Sequence, residues 1–383
     1  MRKVNKIHIN GFRRLRDIHI EMKPMMVLIG PNGVGKTSFL DAMTLLSTSA
    51  NGMMNMVLNR FGGVSNLATH GFERKISLGT KIEYPDQIPL KYDLEIEARG
   101  SGYAIPLETL TQEGEKSNQE PLKYIESISG NIRYFDPKEK RIVTPNWEHN
   151  HSESSLSQVP KMFSQLEEFR RTLGFILHYH TLDVGQHSPV KLPQQMKPAL
   201  FPGINGEDLV SFLYNLRESF HNRYESIEDT LRAAYPGFKR LNFPPVAAGM
   251  ISLTWEDEQF KDPFYAHQLS EGTLRFLWLI SLLQSPQLPT ITMIDEPEVS
   301  LHPELLSLLA DCMREASQNT QLIVATHSDR LIHFLEPHEV VVMNCDEEGL
   351  AKVQWADQLD LEKWLKDYSL DEVWRMGQLG GRP

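Results

Sequence analysis

The sequence is poor in cysteine and in long apolar runs. Only Cys312 and Cys345 occur among its 383 residues, so it offers neither a disulfide framework nor paired CxxC ligands, and a reducing compartment is the simpler expectation. No apolar run approaches the ~20 residues that span a bilayer, and residues 1–3 lead into a strand pattern rather than a signal peptide. We therefore expect a cytoplasmic protein without a membrane span.

The chain also lacks an excess of positive charge. It has 39 basic and 50 acidic residues, a formal net charge of −11, which argues against a protein that coats nucleic acid through bulk charge. Any contact with DNA must be local. Apolar residues make up 40% of the chain, enough for a large core in one large domain or two smaller ones.

The first third of the sequence alternates in the manner of β-strands. Apolar residues recur around 4–9 and 18–20, which predicts an opening hairpin. The continuous apolar run 25–29 predicts a strand buried on both faces, and a helix is expected over about 36–47. Beyond residue 72, alternation predicts an antiparallel sheet with polar turns. Its expected strands cover 76–82, 90–98 and 132–134, and 112–120 is an expected turn.

The middle of the chain has a different pattern. Between about 155 and 235, apolar residues recur at helical spacing, with a proline-rich break at 189–202. We expect an inserted helical element, too short and too interrupted for a long coiled coil.

The last third alternates helices and strands, as a parallel sheet requires. The expected helices are 273–283 and 303–317, and the expected strands are 290–294, 322–325 and 340–343. These patterns predict an α/β fold with a mixed sheet, an antiparallel β subdomain and a helical insertion. The expected divisions are 1–150, 151–240 and 241–383.

The segment 30–37, GPNGVGKT, matches the P-loop pattern GxxxxGK[ST]. It follows a buried strand and precedes a helix, which disfavours a chance glycine-rich turn. Glycines let backbone N–H groups approach phosphate, and the helix N-terminus adds partial positive charge. Lys36 is expected to neutralise the β and γ phosphates of ATP, and Thr37 to ligate Mg²⁺. The residues of this segment expected to bind nucleotide are Asn32, Gly33, Gly35, Lys36, Thr37 and Ser38.

A second signal lies at the end of an apolar strand. Asp295 and Glu296 follow the run 291–294, at the sheet edge where a P-loop also opens. Asp295 is expected in the Mg²⁺ shell, and Glu296 is expected to orient and activate water. Alone, two acids here are more often a solvated turn or a helix cap. Together with a P-loop, they predict a Walker B pair.

Two further segments accompany these motifs. Residues 269–273, LSEGT, form a small-residue loop before an amphipathic helix, although Ser270 could equally be a simple N-cap. Residues 325–328, ATHS, end a strand and put His327 where a phosphate or an attacking water could lie. A lone histidine at a strand end is more often structural.

Taken in order, the four elements resemble the ABC ATPase superfamily. Residues 270–272 are similar to its signature loop, and His327 is similar to its switch histidine. The opening stretch 10–13, NGFR, the LSEGT signature and the stretch 295–303, DEPEVSLHP, resemble the RecF, SMC and OLD branch more than transporter subunits.

The resemblance implies an ABC-ATPase P-loop fold with ATP and Mg²⁺ as cofactors. It adds Arg13, Ser270 and Gly272 to the expected nucleotide-binding residues, and it makes Glu296 and His327 the expected catalytic residues. It also implies a head-to-tail homodimer, or a higher oligomer, in which ATP on one P-loop contacts the signature loop of the other chain. Binding then drives closure, and hydrolysis drives release.

Three features depart from the pattern of that branch. No glutamine can be assigned to the Q-loop, and the middle segment matches no known element. OLD-type nucleases carry a Toprim domain after the ATPase, but fewer than forty residues follow Cys345, so we expect no nuclease here. The tail 370–377 resembles that of small bacterial predicted ATPases often encoded beside a nuclease-like partner.

Two histidine pairs are candidate metal ligands. His149 with His151, and His178 with His180, have no cysteine or carboxylate at ligand spacing. We therefore favour surface or core histidines at both pairs over a metal site.

The sequence favours an ATP-driven switch in anti-phage defence or DNA maintenance that works with a partner effector, with DNA as a further candidate partner. A rival is an ATP-binding scaffold or sensor that holds or inhibits an effector with little turnover. The nucleotide-binding subunit of a transporter is disfavoured by the 295–303 stretch and by the large middle segment.

Overall fold

Two large β-sheets organise the chain. The computed structural model describes residues 3–72, 74–85, 87–100, 102–113, 121–160, 164–361 and 363–380. The α/β class with mixed sheets is confirmed. Most of the expected turn at 112–120 lies outside the described residues.

Helices and strands follow one another along the chain with short connections. The first half contains β1 Lys3–Asn10, β2 Ile18–Glu21, β3 Met25–Ile29, α1 Lys36–Asn51, α2 Met54–Arg60, α3 Val64–Leu67, β4 Lys75–Glu83, β5 Leu90–Arg99, β6 Gly102–Gln112, β7 Leu122–Ile128, β8 Asn131–Asp136 and β9 Arg141–Val143. The second half contains α4 Ser155–Gln158, α5 Ser164–Gly174, β10 Ile176–Tyr179, β11 Gln194–Gln195, α6 Leu209–Ser219, α7 His221–Ala234, β12 Phe238–Asn242, β13 Met250–Ile251, β14 Thr254–Asp257, β15 Phe264–Tyr265, α8 Glu271–Leu283, β16 Ile291–Asp295, α9 Leu305–Ser317, β17 Gln321–Ala325, α10 Asp329–Ile332, β18 Val340–Cys345, β19 Ala351–Trp355 and α11 Leu370–Arg375.

A six-stranded sheet forms the centre of the molecule, in the order β10-β16-β17-β3-β18-β19. Its strands are parallel except β19, which pairs antiparallel with β18. Every residue of β3 is buried, as expected for a parallel strand covered on both faces. The carboxyl ends of β3, β16 and β17 therefore meet at one edge of the sheet.

The two faces of the central sheet support separate apolar cores. Side chains alternate along β3, so Val27 and Ile29 pack with helices α6 to α9, whereas Met26 and Leu28 pack with α1 and the antiparallel sheet. This alternation is the period-2 geometry of a strand. Helix α1, which begins at the P-loop, therefore packs between the two large sheets.

The antiparallel sheet has eight strands in the order β2-β1-β4-β5-β6-β7-β8-β9. Leu90, Tyr92, Leu94 and Ile96 are buried along β5, which confirms the predicted alternation. Two smaller sheets, β11-β13 and β12-β14-β15, are formed by short strands within residues 194–265.

The middle segment is only partly a helical insertion. Helices α4 to α7 agree with the predicted helical spacing, but β10 lies inside the segment and pairs in parallel with β16. The sequence prediction missed β10 because four residues between a glycine and a polar stretch give too short an apolar run. The division into 1–150, 151–240 and 241–383 stays a prediction, and the central sheet crosses it.

Predicted element bounds differ from the observed ones by a few residues. Helix α1 extends to Asn51 rather than residue 47, and α9 begins at Leu305 rather than Pro303. Ends of elements depend on caps and tertiary contacts, which a periodic pattern does not record. Within the described residues, no helix is both long and apolar enough to cross a membrane.

One buried side chain connects the two large sheets. Gln321, the first residue of β17, accepts a hydrogen bond from the Val4 N–H at 2.7 Å and donates one to the Val4 carbonyl at 2.8 Å. Both residues are buried. The amide therefore pairs two backbone groups of β1 that would otherwise lack partners.

Gln321→Ala should lower the free energy of unfolding by about 2–4 kcal/mol, because both Val4 groups would stay buried without partners. Urea denaturation measures this change. Gln318→Ala, an exposed position beyond α9, is the matched control and should change it by under about 0.5 kcal/mol. Equal effects of the two substitutions would contradict the proposed connection.

Candidate functional site

The P-loop connects the buried strand β3 to helix α1. Gly30 has a φ of +148°, and a Cβ there would lie 2.2 Å from the Met343 carbonyl oxygen, so a larger residue would force the strands apart. At the start of α1, Gly35 is left-handed and, in the part of the chain described, no side chain caps the helix. The first N–H groups of α1 are therefore available to an anion.

Lys36 is a buried cation at the start of α1, only 5% exposed. Its Nζ donates to the carbonyl oxygens of Gly30 at 2.6 Å and Pro31 at 3.2 Å. Burial lowers the pKa of Lys36 to about 8, while three nearby acidic side chains oppose that shift. The ammonium thus rests on neutral carbonyls, in a position to turn towards a negatively charged ligand.

The other P-loop residues expected to bind nucleotide are more exposed than Lys36. Asn32, Gly33 and Thr37 are exposed, and Ser38 is half-buried on the first turn of α1. The Thr37 hydroxyl is therefore accessible to a metal ion or a phosphate.

Two carboxylates follow one another at the end of β16. Asp295 is half-buried, and burial together with repulsion from Glu296 raises the pKa of Asp295 to about 6. Glu296 has a positive φ of 48°, which is uncommon for a residue with a side chain. Its N–H donates to the Ala325 carbonyl at 2.8 Å, so the turn is fixed to the end of β17.

His327 lies between Lys36 and Glu296, two residues beyond the end of β17. Its Nδ1 is 3.3 Å from Lys36 Nζ, and its Nε2 is 3.7 Å from a Glu296 oxygen. Burial and the adjacent ammonium lower the pKa of His327, so its imidazole is neutral at neutral pH. The structure therefore brings Lys36, Glu296 and His327 together from three strand ends.

Glu298 holds this arrangement in place, and the sequence analysis gave it no role. Its Oε1 accepts hydrogen bonds from the Thr326 hydroxyl at 2.5 Å, from the His327 N–H at 3.0 Å and from the Ser328 N–H at 3.1 Å. Its Oε2 is buried without a hydrogen-bond partner. The signal was the third acid of DEPE, but its contacts depend on a loop about thirty residues away.

The LSEGT loop is fixed to the segment that follows Glu298. Ser270 caps α8 by accepting a hydrogen bond from the Thr273 N–H at 3.1 Å. A Cβ on Gly272 would lie 2.4 Å from the Ser300 carbonyl oxygen, so glycine permits a close approach there. Arg275 of α8 also donates to the Ser300 hydroxyl at 2.8 Å. Ser270 is therefore an N-cap that is also exposed, so the capping role and the predicted nucleotide contact remain compatible.

Comparison with known families agrees with this geometry. Residues 25–333 match the model of a family described as AAA domain, putative AbiEii toxin, Type IV TA system. The chain belongs to this AAA-domain family. No curated protein matches it.

Solved structures share the fold of this AAA-domain protein. One is the crystal structure of an SMC head bound to the C-winged helix domain of ScpA, with 14% identity and a TM-score of 0.56 over 97% of this chain and 99% of that one. Another is an SMC head with an extended coiled coil bound to the C-terminal domain of ScpA, derived from Pyrococcus furiosus. It has 13% identity and a TM-score of 0.53 over 96% and 98% of the two chains. The predicted resemblance to the SMC branch is thereby confirmed at the level of the fold.

Arg13 of the AAA-domain protein already forms an ion pair within the chain. Its guanidinium donates to the Asp41 carboxylate at 2.6 Å and to the Ser38 hydroxyl at 3.4 Å, and it lies over the Phe61 ring. Contact between Arg13 and a nucleotide stays a prediction. Such a contact would require the guanidinium to share or leave Asp41.

The second histidine pair differs from the sequence expectation. We assigned no carboxylate to His178 and His180 from sequence spacing, but the fold brings Asp295 to them, with one ligand atom from each residue within 4.8 Å of the others. The reason is that β10 pairs with β16, a pairing that sequence spacing does not reveal. His149 and His151 have ring centroids 5.4 Å apart.

The acidic surroundings of Lys36 lead to a measurable prediction. Glu296 is the strongest of the charges that keep the pKa of Lys36 from falling further. Amine labelling of Lys36, followed by mass spectrometry across pH, should therefore show a midpoint near 8 that moves to lower pH in Glu296→Gln.

The matched control is Asp311→Asn, which removes an exposed carboxylate on α9 that is not among the charges acting on Lys36. Its midpoint should equal that of the wild type. A wild-type midpoint near 10.5, the ordinary lysine value, would contradict the buried state of this amine.

Proposed function

We propose that this AAA-domain protein binds and hydrolyses Mg-ATP and works as a nucleotide-driven switch between separate and paired chains. The proposal rests on one arrangement of side chains. A buried ammonium, two consecutive carboxylates and a neutral imidazole meet beside an uncapped helix N-terminus. This combination suits a triphosphate and the water that attacks it.

The P-loop would hold the phosphates of ATP. The backbone N–H groups near Gly33 and Gly35 and the first turn of α1 face no competing cap, and Lys36 supplies the fixed cation. Asn32 and Ser38 border the same loop. Because Lys36 now rests on two carbonyls, it can exchange these neutral partners for phosphate oxygens.

Magnesium fits the donors beside the phosphates. Thr37 offers an exposed hydroxyl, and Asp295 offers a carboxylate whose pKa is raised by burial and by repulsion from Glu296. Hard oxygen donors of this kind suit Mg²⁺, which would supply charge neutralisation to the transferred phosphoryl group.

Glu296 and His327 would act on the attacking water. Glu296 is placed by its fixed turn and can accept a proton as the water attacks. His327, neutral and within reach of both Lys36 and Glu296, can donate or accept a hydrogen bond at the γ-phosphate. Glu298 would position His327 by holding the backbone of 326–328.

The second half of the site would come from another copy of the chain. Ser270 is exposed at the N-terminus of α8, and Gly272 keeps the loop small. A hydroxyl, a backbone N–H and a helix N-terminus could therefore reach the phosphates held by the other chain. A head-to-tail homodimer follows from this assignment.

The biological role we propose is anti-phage defence or DNA maintenance through a partner effector, a nuclease-like protein being the leading candidate and DNA a further one. The middle segment would supply the partner surface, because the proposed ATPase site uses none of its residues. The rival scaffold function predicts ATP binding with little turnover. Steady-state turnover with and without DNA separates these two functions.

Complementation between two defective chains tests the composite site. Ser270→Arg should bind ATP without hydrolysing it, and Lys36→Ala should fail to bind it, so each variant alone should be nearly inactive. In mixed dimers one site has both lesions and the other has none. Random pairing makes about half the dimers mixed, so turnover should recover to roughly a quarter of wild type if the sites act independently.

Formation of mixed dimers must be verified by copurification of differently tagged chains. Ser219→Arg, which adds an arginine at an exposed end of α6, is the matched control and should keep turnover unaided. Full hydrolysis by Ser270→Arg in a chain shown to be monomeric would mean that one chain contains the whole site.

A further inference from the structure

Two histidines and an aspartate converge where β10 and β16 end. The strands are parallel, with Tyr179 opposite Ile294, so continuing the register by one residue sets His180 beside Asp295. His178 and His180 are two residues apart and therefore lie on the same side of the strand. Their ring centroids are 3.9 Å apart.

Burial lowers the pKa of both imidazoles, the nearby Arg60 cation adds to that shift, and Asp41 opposes it at His180. The Nε2 atom of His178 is buried and has no hydrogen-bond partner, although a buried polar atom normally has one. His180 is exposed, so an ion can reach the cluster from solvent. A nitrogen without a partner, next to a second imidazole and a carboxylate, is able to coordinate a cation.

We propose that His178, His180 and Asp295 form a site for a divalent transition-metal ion of the Zn²⁺ or Co²⁺ type. Two imidazoles and one carboxylate are ligands that such ions prefer, whereas Mg²⁺ prefers oxygen donors. Metal–ligand bonds of about 2.1 Å put ligand atoms about 3.4 Å apart in a tetrahedron. The observed separations, within 4.8 Å, reach that value through small side-chain rotations.

Three protein ligands leave a fourth position on the ion. A cavity of about 10 Å³ is lined by His180, Asp295 and Glu296, enough for about one water molecule. The open position therefore points to a bound water or a phosphate oxygen rather than to a closed structural site.

Asp295 links this ion to the nucleotide. Ion binding by the cluster needs no ATP, but its effect on turnover rests on the proposed function, in which Asp295 also serves Mg²⁺. A transition-metal ion on Asp295 would compete for that carboxylate, so ion supply would regulate the ATPase site.

A second cluster provides an internal comparison. His8, Asp17 and His19 also come within 4.8 Å of one another, but His19 Nε2 is already 3.1 Å from the Asp17 carboxylate. Asp17 and His19 are also exposed. This cluster therefore already contains an internal histidine–carboxylate contact, and it serves as the control site.

Titration of the chelator-treated full chain with Co²⁺, without nucleotide, tests the proposal through the visible absorption of the bound ion. The wild type should bind one Co²⁺ per chain at the cluster. His180→Ala should weaken binding at least ~10-fold, since even the loss of a group that merely supports a ligand costs that much. His180 is exposed, so this substitution leaves the core intact.

His19→Ala is the matched control and should bind Co²⁺ as the wild type does. Equal affinity of wild type and His180→Ala, or loss of binding in His19→Ala alone, would overturn the proposal. Lys36→Ala should bind Co²⁺ at least as tightly as wild type while failing to bind ATP. Failure of the ATPase proposal would therefore leave the Co²⁺ result unchanged.

Discussion

The pocket at the carboxyl ends of β3, β16 and β17 holds one buried ammonium among three acidic side chains. Burial lowers the pKa of Lys36, and burial with mutual repulsion raises the pKa values of Asp295 and Glu298. None of the acids forms a direct ion pair with Lys36 in the part of the chain described; the ammonium rests on carbonyls instead. Binding of a polyanion would stabilise the Lys36 ammonium, and binding of a divalent cation would stabilise the ionised carboxylates.

The same contacts connect the pocket to a distant surface. From Glu296 the chain passes to Glu298, which holds the backbone of His327, and then to Ser300, whose carbonyl touches Gly272 at the start of α8. A displacement of Glu296 or Glu298 can therefore reach the LSEGT loop through backbone contacts. This connection provides a physical path by which the state of one nucleotide could alter the surface offered to a second chain.

Local patterns predicted what depends on local structure. The buried run of β3, the P-loop and the strand ends at Asp295 and His327 were all found, because burial, turn chemistry and helix initiation are written in adjacent residues. The fold class followed from the alternation of helices and strands in the last third. Element bounds were less accurate because their ends depend on tertiary contacts.

Contacts between distant segments were missed. β10 is four residues long within a helical stretch, and without its pairing to β16 nothing brings Asp295 to the histidines at 178 and 180. Glu298 looked like one more acid of a turn, since its three donors lie about thirty residues away. The Arg13 pairing with Asp41 was missed for the same reason, because the two residues lie 28 positions apart in the sequence.

The joining of two chains by ATP is tested most directly by the solution mass of Glu296→Gln, measured by light scattering with Mg-ATP and with Mg-ADP. Because this variant should retain ATP without hydrolysing it, the mass should rise from one chain to two with ATP and stay at one chain with ADP. A single-chain mass with ATP demonstrably bound would contradict the composite site.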